Sequence, residues 1–481
     1  MSINFLRTQA YRAQGWQPAQ SGATFSVTNP ATGEEIAQVA DIGPEEVAEA
    51  VAEAQTAFAD WRQRSATDRA KLLHRWYELM VEHADALAEL LTAEQGKPLA
   101  EAKGEILYGA GFIEWFAEEA RRGYGDLIPG HQAGMRIMAL RQPVGVVSAI
   151  TPWNFPNAMI TRKAGAALAA GCVMLVKPAE ATPLSALALA VLAEKAGIPP
   201  GVFQVLPTSQ PKAVGHVLTT HPGIRKVSFT GSTAVGKILL KQSADTVKRV
   251  SMELGGNAPF IVFDDADIPA AVEGAIASKY RNAGQTCVCA NRILVQDAIY
   301  DEFVEALTEA TRKLKVGPGM EDGVDIGPLI NQAGLDKVER LVADAKARGA
   351  KVTTGGERHA LGGTFYTPTV LEGATMAMEL AQTEIFGPVA PVFRFHTEAE
   401  AIELANATPF GLAAYFYGRD LGRVWRVAEG LDYGMVGVNT GLISTPVAPF
   451  GGMKESGMGR EGSKYGMDAY QEIKYVAMQI G

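Results

Sequence analysis

The sequence predicts an α/β protein in which short apolar strands alternate with helices in two successive series. The first series runs from about Val144 to Phe229, and its alternation is typical of βαβ units on a mostly parallel sheet. A second series of strands and long helices follows Gly256. The chain has 481 residues, which is too long for one simple core. We therefore expect two or three domains.

Helices come before the first of these series. Residues 44–103 have Ala-rich apolar positions at three- and four-residue spacing with charges between them, which predicts amphipathic helices. Within the two series, the pattern predicts strands over 144–150, 173–176, 203–206, 226–229, 260–262 and 293–295, and helices over 185–195, 301–314 and 332–348.

A hairpin is predicted between the helices and the first series. Residues 124–143 contain two extended runs on either side of a Pro-Gly pair, and a further strand is predicted over 475–478. A strand at the edge of a sheet exposes unpaired backbone groups, so this hairpin needs a partner.

Composition and charge exclude several classes of partner. With 47% hydrophobic and 20% charged residues, the chain has the composition of an ordinary soluble globular protein. Its net charge of −9 does not indicate binding to nucleic acid or to an anionic membrane surface. An anionic substrate would therefore have to be bound by individual cationic side chains in its site. No apolar run is long enough for a signal peptide or a membrane span, which predicts a cytoplasmic protein.

The cysteine and histidine content indicates neither a disulfide framework nor a metal site. Three cysteines are too few for such a framework, and seven histidines are scattered without metal-ligand spacing. HExxH and CxxC motifs are absent from the sequence. We therefore expect a reducing compartment and no bound metal.

The strongest chemical signal is Cys287 in the glycine-opened run GQTCVC, together with Glu253 in MELGG. A thiol that attacks a carbonyl and a carboxylate that activates water are the two groups needed to form and hydrolyse a thioester. Asn154 follows a Pro-Trp pair and offers a side-chain amide that, with the backbone N–H of Cys287, can stabilise an oxyanion. Taken singly, a cysteine is usually buried and inert, as we expect for Cys172. A single glutamate is usually a surface residue, and an asparagine beside prolines is usually a turn residue.

Further short motifs are distributed along nearly the whole chain, before and after these residues. They are TNP (28–30), TPWNFP (151–156), KPAE (177–180), FTGS (229–232), EIFGP (384–388), PFGG (449–452) and GREG (459–462). Together with GQTC and MELGG, they resemble the NAD(P)-dependent aldehyde dehydrogenase superfamily, and within it the succinate-semialdehyde dehydrogenase branch most.

The resemblance implies an aldehyde dehydrogenase-like α/β fold with three parts. Residues 1–122 and 144–254 are expected to form a Rossmann-type dinucleotide-binding domain, and residues 255–447 an α/β catalytic domain. Residues 123–143 and 468–481 are expected to form a β-flap for oligomerisation, which extends a sheet in a neighbouring subunit. A homodimer or homotetramer is therefore expected.

The resemblance also implies the catalytic roles. Cys287 is the expected nucleophile, Asn154 the oxyanion-binding amide, and Glu253 the base that directs water at the thioester. Cys289 is implied as a redox switch, because relatives with the same Cys-x-Cys arrangement use it for a reversible disulfide.

The cofactor site carries no ordinary Rossmann fingerprint, since no G-x-G-x-x-G motif follows a strand. The segment 231–236 instead joins a strand to a helix opening at about Thr233, which can present N–H groups and a helix dipole to a diphosphate. The resemblance implies cofactor contacts for Trp153, Lys177, Glu180, Gly231, Ser232, Gly236, Glu384 and Phe386. A carboxylate at Glu180 repels the 2′-phosphate of NADP by about a few kcal/mol. We expect NAD to be preferred, while NADP stays open because Glu180 can rotate away.

Substrate choice is implied to rest on Arg162, Arg281 and Ser444, which match positions that bind a distal carboxylate. Most arginines are surface groups, but a guanidinium fork suits a carboxylate. The sequence therefore predicts NAD(P)-dependent oxidation of succinate semialdehyde, a small-molecule aldehyde, with glutarate semialdehyde or a broader aldehyde range as the nearest alternative. A cysteine acyltransferase without redox chemistry would require a histidine to pair with the thiol, and no histidine lies near either motif. A non-catalytic redox-sensing scaffold would be expected to have lost Cys287, Glu253 or Asn154, and all three are present.

Overall fold

Two hydrophobic cores build the fold. The computed structural model describes residues 5–480, so residues 1–4, on which the expected lack of a signal peptide partly rests, lie outside the described part. The first core gathers buried side chains between residues 5 and 254, together with Met467 and Tyr470. The second gathers side chains between residues 258 and 450. The chain passes from one core to the other over residues 254–258.

The first half follows the predicted order of helices, hairpin and α/β series. Its helices are α1 (Pro44–Trp61), α2 (Ala66–Glu82), α3 (Ala84–Gln95), α4 (Leu99–Glu119), α5 (Ala158–Ala170), α6 (Pro183–Lys195), α7 (Pro211–Thr220) and α8 (Thr233–Ser243). Its strands are β1 (Ala10–Arg12), β2 (Gly15–Gln17), β3 (Thr24–Thr28), β4 (Glu35–Ala40), β5 (Asp126–Ile128), β6 (Met135–Pro143), β7 (Val146–Ile150), β8 (Val173–Lys177), β9 (Phe203–Val205), β10 (Ile224–Thr230) and β11 (Arg249–Glu253).

The second half repeats the alternation of strands and helices. Its helices are α9 (Ile268–Tyr280), α10 (Tyr300–Arg312), α11 (Gln332–Ala347), α12 (Glu379–Gln382), α13 (Glu398–Asn406) and α14 (Leu421–Gly430). Its strands are β12 (Ala258–Val262), β13 (Ala290–Gln296), β14 (Lys351–Thr354), β15 (Thr369–Ala374), β16 (Val389–Phe395), β17 (Phe410–Gly411), β18 (Ala413–Tyr417) and β19 (Met435–Val438), followed by β20 (Met453–Lys454), β21 (Gly457–Met458) and β22 (Gln471–Gln479).

The central sheet of the first half has the parallel order β9-β8-β7-β10-β11, with β1 and β21 antiparallel at its two sides. Every residue of β7 and β8 is buried, as expected of parallel strands covered by helices on both faces. The register pairs Ile150 with Lys177 and Thr230 with Glu253, so these strands end at one edge. The segments that follow them therefore meet there, where open parallel sheets bind ligands.

The sheet of the second half has the parallel order β15-β16-β13-β12-β18-β19, and β14 lies antiparallel beside β15. Cys287 lies just before β13, and Phe386 lies just before β16. In the second half, the residues singled out from the sequence thus lie at the amino ends of strands. In the first half, they lie at the carboxyl ends.

The predicted hairpin is present as β5 and β6, and it gains a third strand from the same chain. Strand β22 pairs antiparallel with β6 over its whole length, from Gln471 opposite Pro143 to Gln479 opposite Met135. Large apolar side chains remain exposed on this three-stranded sheet, among them Leu127 (76%) and Ile473 (70%). We call residues 123–143 and 468–480 the flap.

Two negative findings hold for residues 5–480. None of their helices combines the length and apolar character that crossing a membrane requires. No group of three or more His, Cys, Asp or Glu side chains there is arranged to hold a metal ion.

Candidate active site

A cavity of about 370 Å³ lies between the two halves. Its lining includes seven of the residues singled out from the sequence: Trp153, Asn154, Gly231, Ser232, Cys287, Glu384 and Phe386. Four of these come from segments after β7 and β10, and three from segments before β13 and β16, so tertiary folding brings distant motifs together. Trp153 and Phe386 meet edge to face across the cavity, with ring centroids 5.5 Å apart.

The turn before Cys287 has an unusual backbone. Asn282 (φ 51°), Ala283 (φ 54°) and Gly284 (φ 74°) all lie in the left-handed region, which costs a non-glycine residue about 1–2 kcal/mol. Gly284 is required there for a second reason, because a Cβ atom would lie 2.1 Å from the carbonyl oxygen of Gly387. We call residues 282–287 the nucleophile turn.

The structure separates the two neighbouring thiols. Cys287 is half-buried and lines the cavity. Cys289 is buried in the second half, and its Sγ donates a hydrogen bond to the carbonyl oxygen of Lys279 at 3.1 Å. Only Cys287 therefore faces the space in which a substrate carbonyl could bind.

The environment of the Cys287 thiol disfavours its charged form. Burial, followed by the nearby carboxyl group of Glu384, raises the pKa of Cys287 to about 12, while Arg162 and Arg281 lower it only in part. Because the thiolate is the attacking form, Cys287 must lose its proton before or during attack on a carbonyl.

Asn154 reaches the nucleophile turn across the boundary between the halves. Its side-chain Nδ2 donates to the carbonyl oxygen of Gln285 at 3.0 Å, two residues before Cys287. Its own carbonyl oxygen accepts hydrogen bonds from Lys97 Nζ at 2.7 Å and from Asn282 Nδ2 at 3.0 Å. The amide and the thiol predicted to act together are therefore neighbours on one cavity wall.

Glu253 ends β11 but does not line the cavity. Its side chain is buried, and within residues 5–480 neither carboxyl oxygen has a hydrogen-bond partner. Burial, followed by the carboxyl group of Glu461, raises the pKa of Glu253 well above its ordinary value. The carboxyl group must rotate to reach a thioester on Cys287.

The other residues for which cofactor contacts are expected form a cradle after β8 and β10. Helix α8 begins at Thr233 as predicted, and the Ser232 side chain caps it by accepting from the Val235 N–H at 3.4 Å. A Cβ atom on Gly231 would lie 2.5 Å from the Phe229 ring, and one on Gly236 would lie 2.4 Å from Leu254. The two glycines thus keep the backbone close to the sheet, which leaves the helix N-terminus open to a diphosphate.

Two of the residues that are expected to contact the cofactor carry carboxyl groups. Glu384 accepts a hydrogen bond from the Gly256 N–H at 2.9 Å, and burial raises its pKa to about 7. Glu180 is 40% exposed and pairs with Lys177 Nζ at 3.0 Å. Lys177, Glu180 and Gly236 lie outside the main cavity lining, along the sheet edge that leads away from Cys287. The cradle, the edge and these acids fit a dinucleotide.

A second cavity of about 250 Å³ holds two of the three predicted substrate residues, Arg281 and Ser444. Phe155 lines this cavity and the main one, so the two are adjacent. The Arg281 guanidinium lies over the Phe155 ring, 4.8 Å from its centroid. Tyr108 lines the same wall.

Arg162 does not line either cavity. It is 1% exposed, its Nη1 lies 3.5 Å from Glu461, and its Nη2 donates to the Tyr108 hydroxyl at 2.7 Å. Tyr108 therefore stands between Arg162 and the space beside Arg281. The structure brings Arg281 and Ser444 together and leaves Arg162 behind them.

Several residues of these cavities were missed by sequence reasoning, among them Tyr108, Phe155 and Lys337. Tyr108 and Lys337 lie within helices α4 and α11. In an amphipathic helix, the sequence pattern does not distinguish a polar residue that lines a cavity from one that faces solvent. Phe155 does lie in the TPWNFP motif, so its position next to Asn154 was the available signal.

The chain is similar to known proteins along nearly its whole length. A model of the aldehyde dehydrogenase family matches residues 16–476. Similar proteins include 3-sulfolactaldehyde dehydrogenase of Pseudomonas putida (59% identical, covering 99% of this chain and 98% of the relative) and glutarate-semialdehyde dehydrogenase of Pseudomonas aeruginosa (60%, 98% and 98%). Succinate-semialdehyde dehydrogenase [NADP(+)] GabD of Escherichia coli is 58% identical and covers 99% of both chains.

A solved structure supports the same assignment. Succinate-semialdehyde dehydrogenase from Burkholderia pseudomallei superposes with a TM-score of 0.98 at 60% identity, covering 99% of this chain and 98% of that one. The predicted fold class and family are thereby confirmed. The chain belongs to the aldehyde dehydrogenase family, NAD(P)-dependent enzymes that oxidise aldehydes.

Proposed function

We propose that this enzyme oxidises a short aldehyde with an anionic far end, succinate semialdehyde first, to the corresponding acid. The observation that carries the proposal is the placement of Arg281 and Ser444 in a cavity that shares Phe155 with the cavity of Cys287. An aldehyde carbon at Cys287 would leave a distal carboxylate beside a guanidinium, its best-matched partner. The aldehydes in the names of all three relatives carry an anionic group away from the aldehyde.

Tyr108 completes the proposed carboxylate site, and Arg162 acts through it. Arg162 Nη2 donates to the Tyr108 oxygen, so the hydroxyl proton is free to point toward Ser444 or a bound carboxylate. Arg162 already faces Glu461, which compensates part of its charge. Arg281 therefore contributes the main cation of the site.

The proposed chemistry begins with loss of the Cys287 thiol proton to water in the cavity and attack of the resulting thiolate on the aldehyde carbon. The alkoxide that forms accepts hydrogen bonds from Asn154 Nδ2 and the Cys287 backbone N–H, which requires Asn154 to exchange its present acceptor, Gln285, for the alkoxide. When bound, the nicotinamide cofactor supplies the acceptor for the hydride. Glu253 then turns toward the cavity and takes a proton from the water that hydrolyses the thioester.

For the cofactor, we propose a preference for NAD over NADP. Glu180 lies at the end of the β8 segment, and its carboxylate would repel a 2′-phosphate. The Lys177 ammonium at 3.0 Å offsets part of that repulsion, and Glu180 is exposed enough to turn outward. The name of the Escherichia coli relative specifies NADP, so the preference needs a direct measurement.

Self-assembly through the flap and a cytoplasmic location are also proposals. The exposed Leu127, Ile473 and Tyr475 side chains and the free edge of β22 support pairing with another copy of the chain. Light scattering of the purified protein would distinguish a monomer from the expected dimer or tetramer. Cell fractionation would test the location.

A panel of aldehydes tests the proposed reaction. The enzyme is assayed with succinate semialdehyde, glutarate semialdehyde, 3-sulfolactaldehyde and butanal, each with NAD and with NADP, at the absorbance of the reduced nicotinamide. We expect the highest kcat/KM for succinate semialdehyde with NAD. A higher value for glutarate semialdehyde would select the alternative, and a higher value for butanal would contradict an anion-binding site.

A further inference from the structure

The connection between α3 and α4 contacts the catalytic residues of both halves. We call residues 95–105 the elbow and residues 151–157 the oxyanion loop. The elbow belongs to the first half, as does the oxyanion loop, which joins β7 to α5, whereas the nucleophile turn belongs to the second. Asn154 and Cys287 therefore belong to different halves of the molecule, and some other contact must set the distance between them.

Lys97 and Glu105 hold the oxyanion loop. Lys97 Nζ donates to the carbonyl oxygen of Asn154 at 2.7 Å and to Glu105 Oε2 at 2.6 Å, and both side chains are almost completely buried. The other oxygen of Glu105 accepts from the backbone N–H groups of Asn157 (2.9 Å) and Ala158 (3.2 Å). The Lys97 ammonium also lies 3.9 Å from the centroid of the Phe155 ring.

Gln95 and Glu101 hold the nucleophile turn. Gln95 Nε2 donates to Asn282 Oδ1 at 3.0 Å, and Glu101 Oε2 accepts from the Asn282 backbone N–H at 2.8 Å. Asn282 in turn donates from Nδ2 to the same Asn154 carbonyl oxygen that Lys97 binds, at 3.0 Å. The left-handed backbone at Asn282 is thus fixed on three sides.

We propose that Lys97 is a positioning residue, which keeps the Asn154 amide in reach of the alkoxide on Cys287. Lys97 and Asn282 share one acceptor, the Asn154 carbonyl, so this atom joins the oxyanion loop to the nucleophile turn. Because the amide and the thiol come from different halves, loss of the Lys97 contact lets the loop shift relative to the turn. A misplacement of about 1 Å at a catalytic group costs on the order of 10²-fold in rate. The inference rests on the proposed oxyanion role of Asn154.

The test is a double-mutant cycle with Lys97→Met and Asn154→Ala. We expect Lys97→Met to lower kcat for hydride transfer by on the order of 10²-fold in the otherwise wild-type enzyme. In the Asn154→Ala background, Lys97→Met should lower kcat by less than about a further threefold, because the amide that Lys97 positions is already gone. Lys103→Met is the matched control, since Lys103 also lies in the elbow but keeps its ammonium on the surface, paired with Asp85.

A second readout separates positioning from general damage to the fold. Alkylation of Cys287 by iodoacetamide develops no oxyanion, so its rate should stay within about twofold of wild type in Lys97→Met. The variant Lys97→Met with Glu105→Gln removes the buried pair as a unit and carries the same test if the single variant does not fold. Equal losses in both backgrounds, or a parallel loss of alkylation, would overturn the inference. Full activity of Asn154→Ala alone would instead refute the proposed oxyanion role.

Discussion

Glu253 and Glu461 are two buried carboxyl groups that face the same two cations, and their pKa values are displaced in opposite directions. Burial alone would raise the pKa of Glu461, but Lys163 and Arg162 outweigh it and hold that pKa below its ordinary value. Lys163 Nζ and Arg162 Nη1 both contact Glu461, whereas Glu253 has no hydrogen-bond partner within residues 5–480. Such a divergence distinguishes the two groups: the cations hold Glu461 ionised, whereas burial favours the protonated form of Glu253.

Replacing Glu253 by Gln should slow hydrolysis of the thioester more than hydride transfer. The amide cannot accept the proton of the attacking water, while the attack by Cys287 is retained. We expect a burst of NADH followed by a slow steady state, and an acyl-enzyme that mass spectrometry detects. If the burst disappears together with the steady state, Glu253 acts before the thioester forms.

The pH dependence of the wild-type enzyme should report the displaced pKa of Glu253. A general base works in its ionised form, and the raised pKa of Glu253 means that ionisation is completed only well above the ordinary range of a carboxyl group. The deacylation rate should therefore rise with pH through that raised pKa and fall on its acid side. Single-turnover deacylation at a series of pH values measures this, and a rate independent of pH above pH 5 would contradict it.

Replacing Cys287 by Ala should abolish turnover and leave cofactor binding intact. Cys287 lines the cavity, while Cys289 is buried against Lys279, so no other thiol can take its place. Nicotinamide fluorescence titration and steady-state assays measure the two properties. Turnover that persists in Cys287→Ala but is lost in Cys289→Ala would move the nucleophile to Cys289.

Replacing Arg281 by Ala should lower the preference for anionic aldehydes. The loss expected for succinate semialdehyde is about 2–5 kcal/mol in kcat/KM, because a partly desolvated carboxylate loses its main cation. Butanal has no carboxylate and should change little, so the ratio of the two substrates is the informative quantity. Arg312→Ala, at a surface arginine of α10, is the matched control. An unchanged ratio would rule out this carboxylate site.

Replacing Glu180 by Ala should improve the use of NADP. The carboxylate that repels the 2′-phosphate is removed, and the ammonium of Lys177, now 3.0 Å from Glu180, is freed to meet that phosphate. We expect the NADP to NAD ratio of kcat/KM to rise by at least about tenfold, which corresponds to about 1.4 kcal/mol. A ratio that stays constant would show that Glu180 does not select the cofactor.

Cys289 should protect Cys287 from irreversible oxidation. Peroxide oxidises the Cys287 thiol to a sulfenic acid, and attack by the Cys289 thiol would then form a disulfide and release water. We expect dithiothreitol to rescue peroxide-treated wild type but not Cys289→Ala, with Cys172→Ala as control because that buried thiol bonds to Tyr470 in the first core. Equal rescue of all three, with no such disulfide in peptide mapping, would assign Cys289 to packing.

The sequence alone determined the order of the elements and the residues on which the site is built. Apolar periodicity is a local property, so it located the helical region over residues 44–103, the hairpin, and strands β7, β8, β9, β10, β12 and β13 within a few residues. The remaining strands of the two sheets were not predicted. The catalytic motifs are also local, because a turn such as GQTC needs its glycine and its cysteine at fixed spacing. This local chemistry was sufficient for the family and for Cys287, Asn154 and Glu384 as cavity residues.

Only the tertiary structure decided what surrounds each of these groups. It placed Arg162 behind Tyr108, left Glu253 outside the cavity lining, and set Lys97 against Asn154. Each of these outcomes depends on contacts between segments far apart in the chain, and no periodicity or motif specifies which side chains such segments bring together. The pKa values of the site depend on burial and on neighbouring charges, and both are defined only after those segments have packed together.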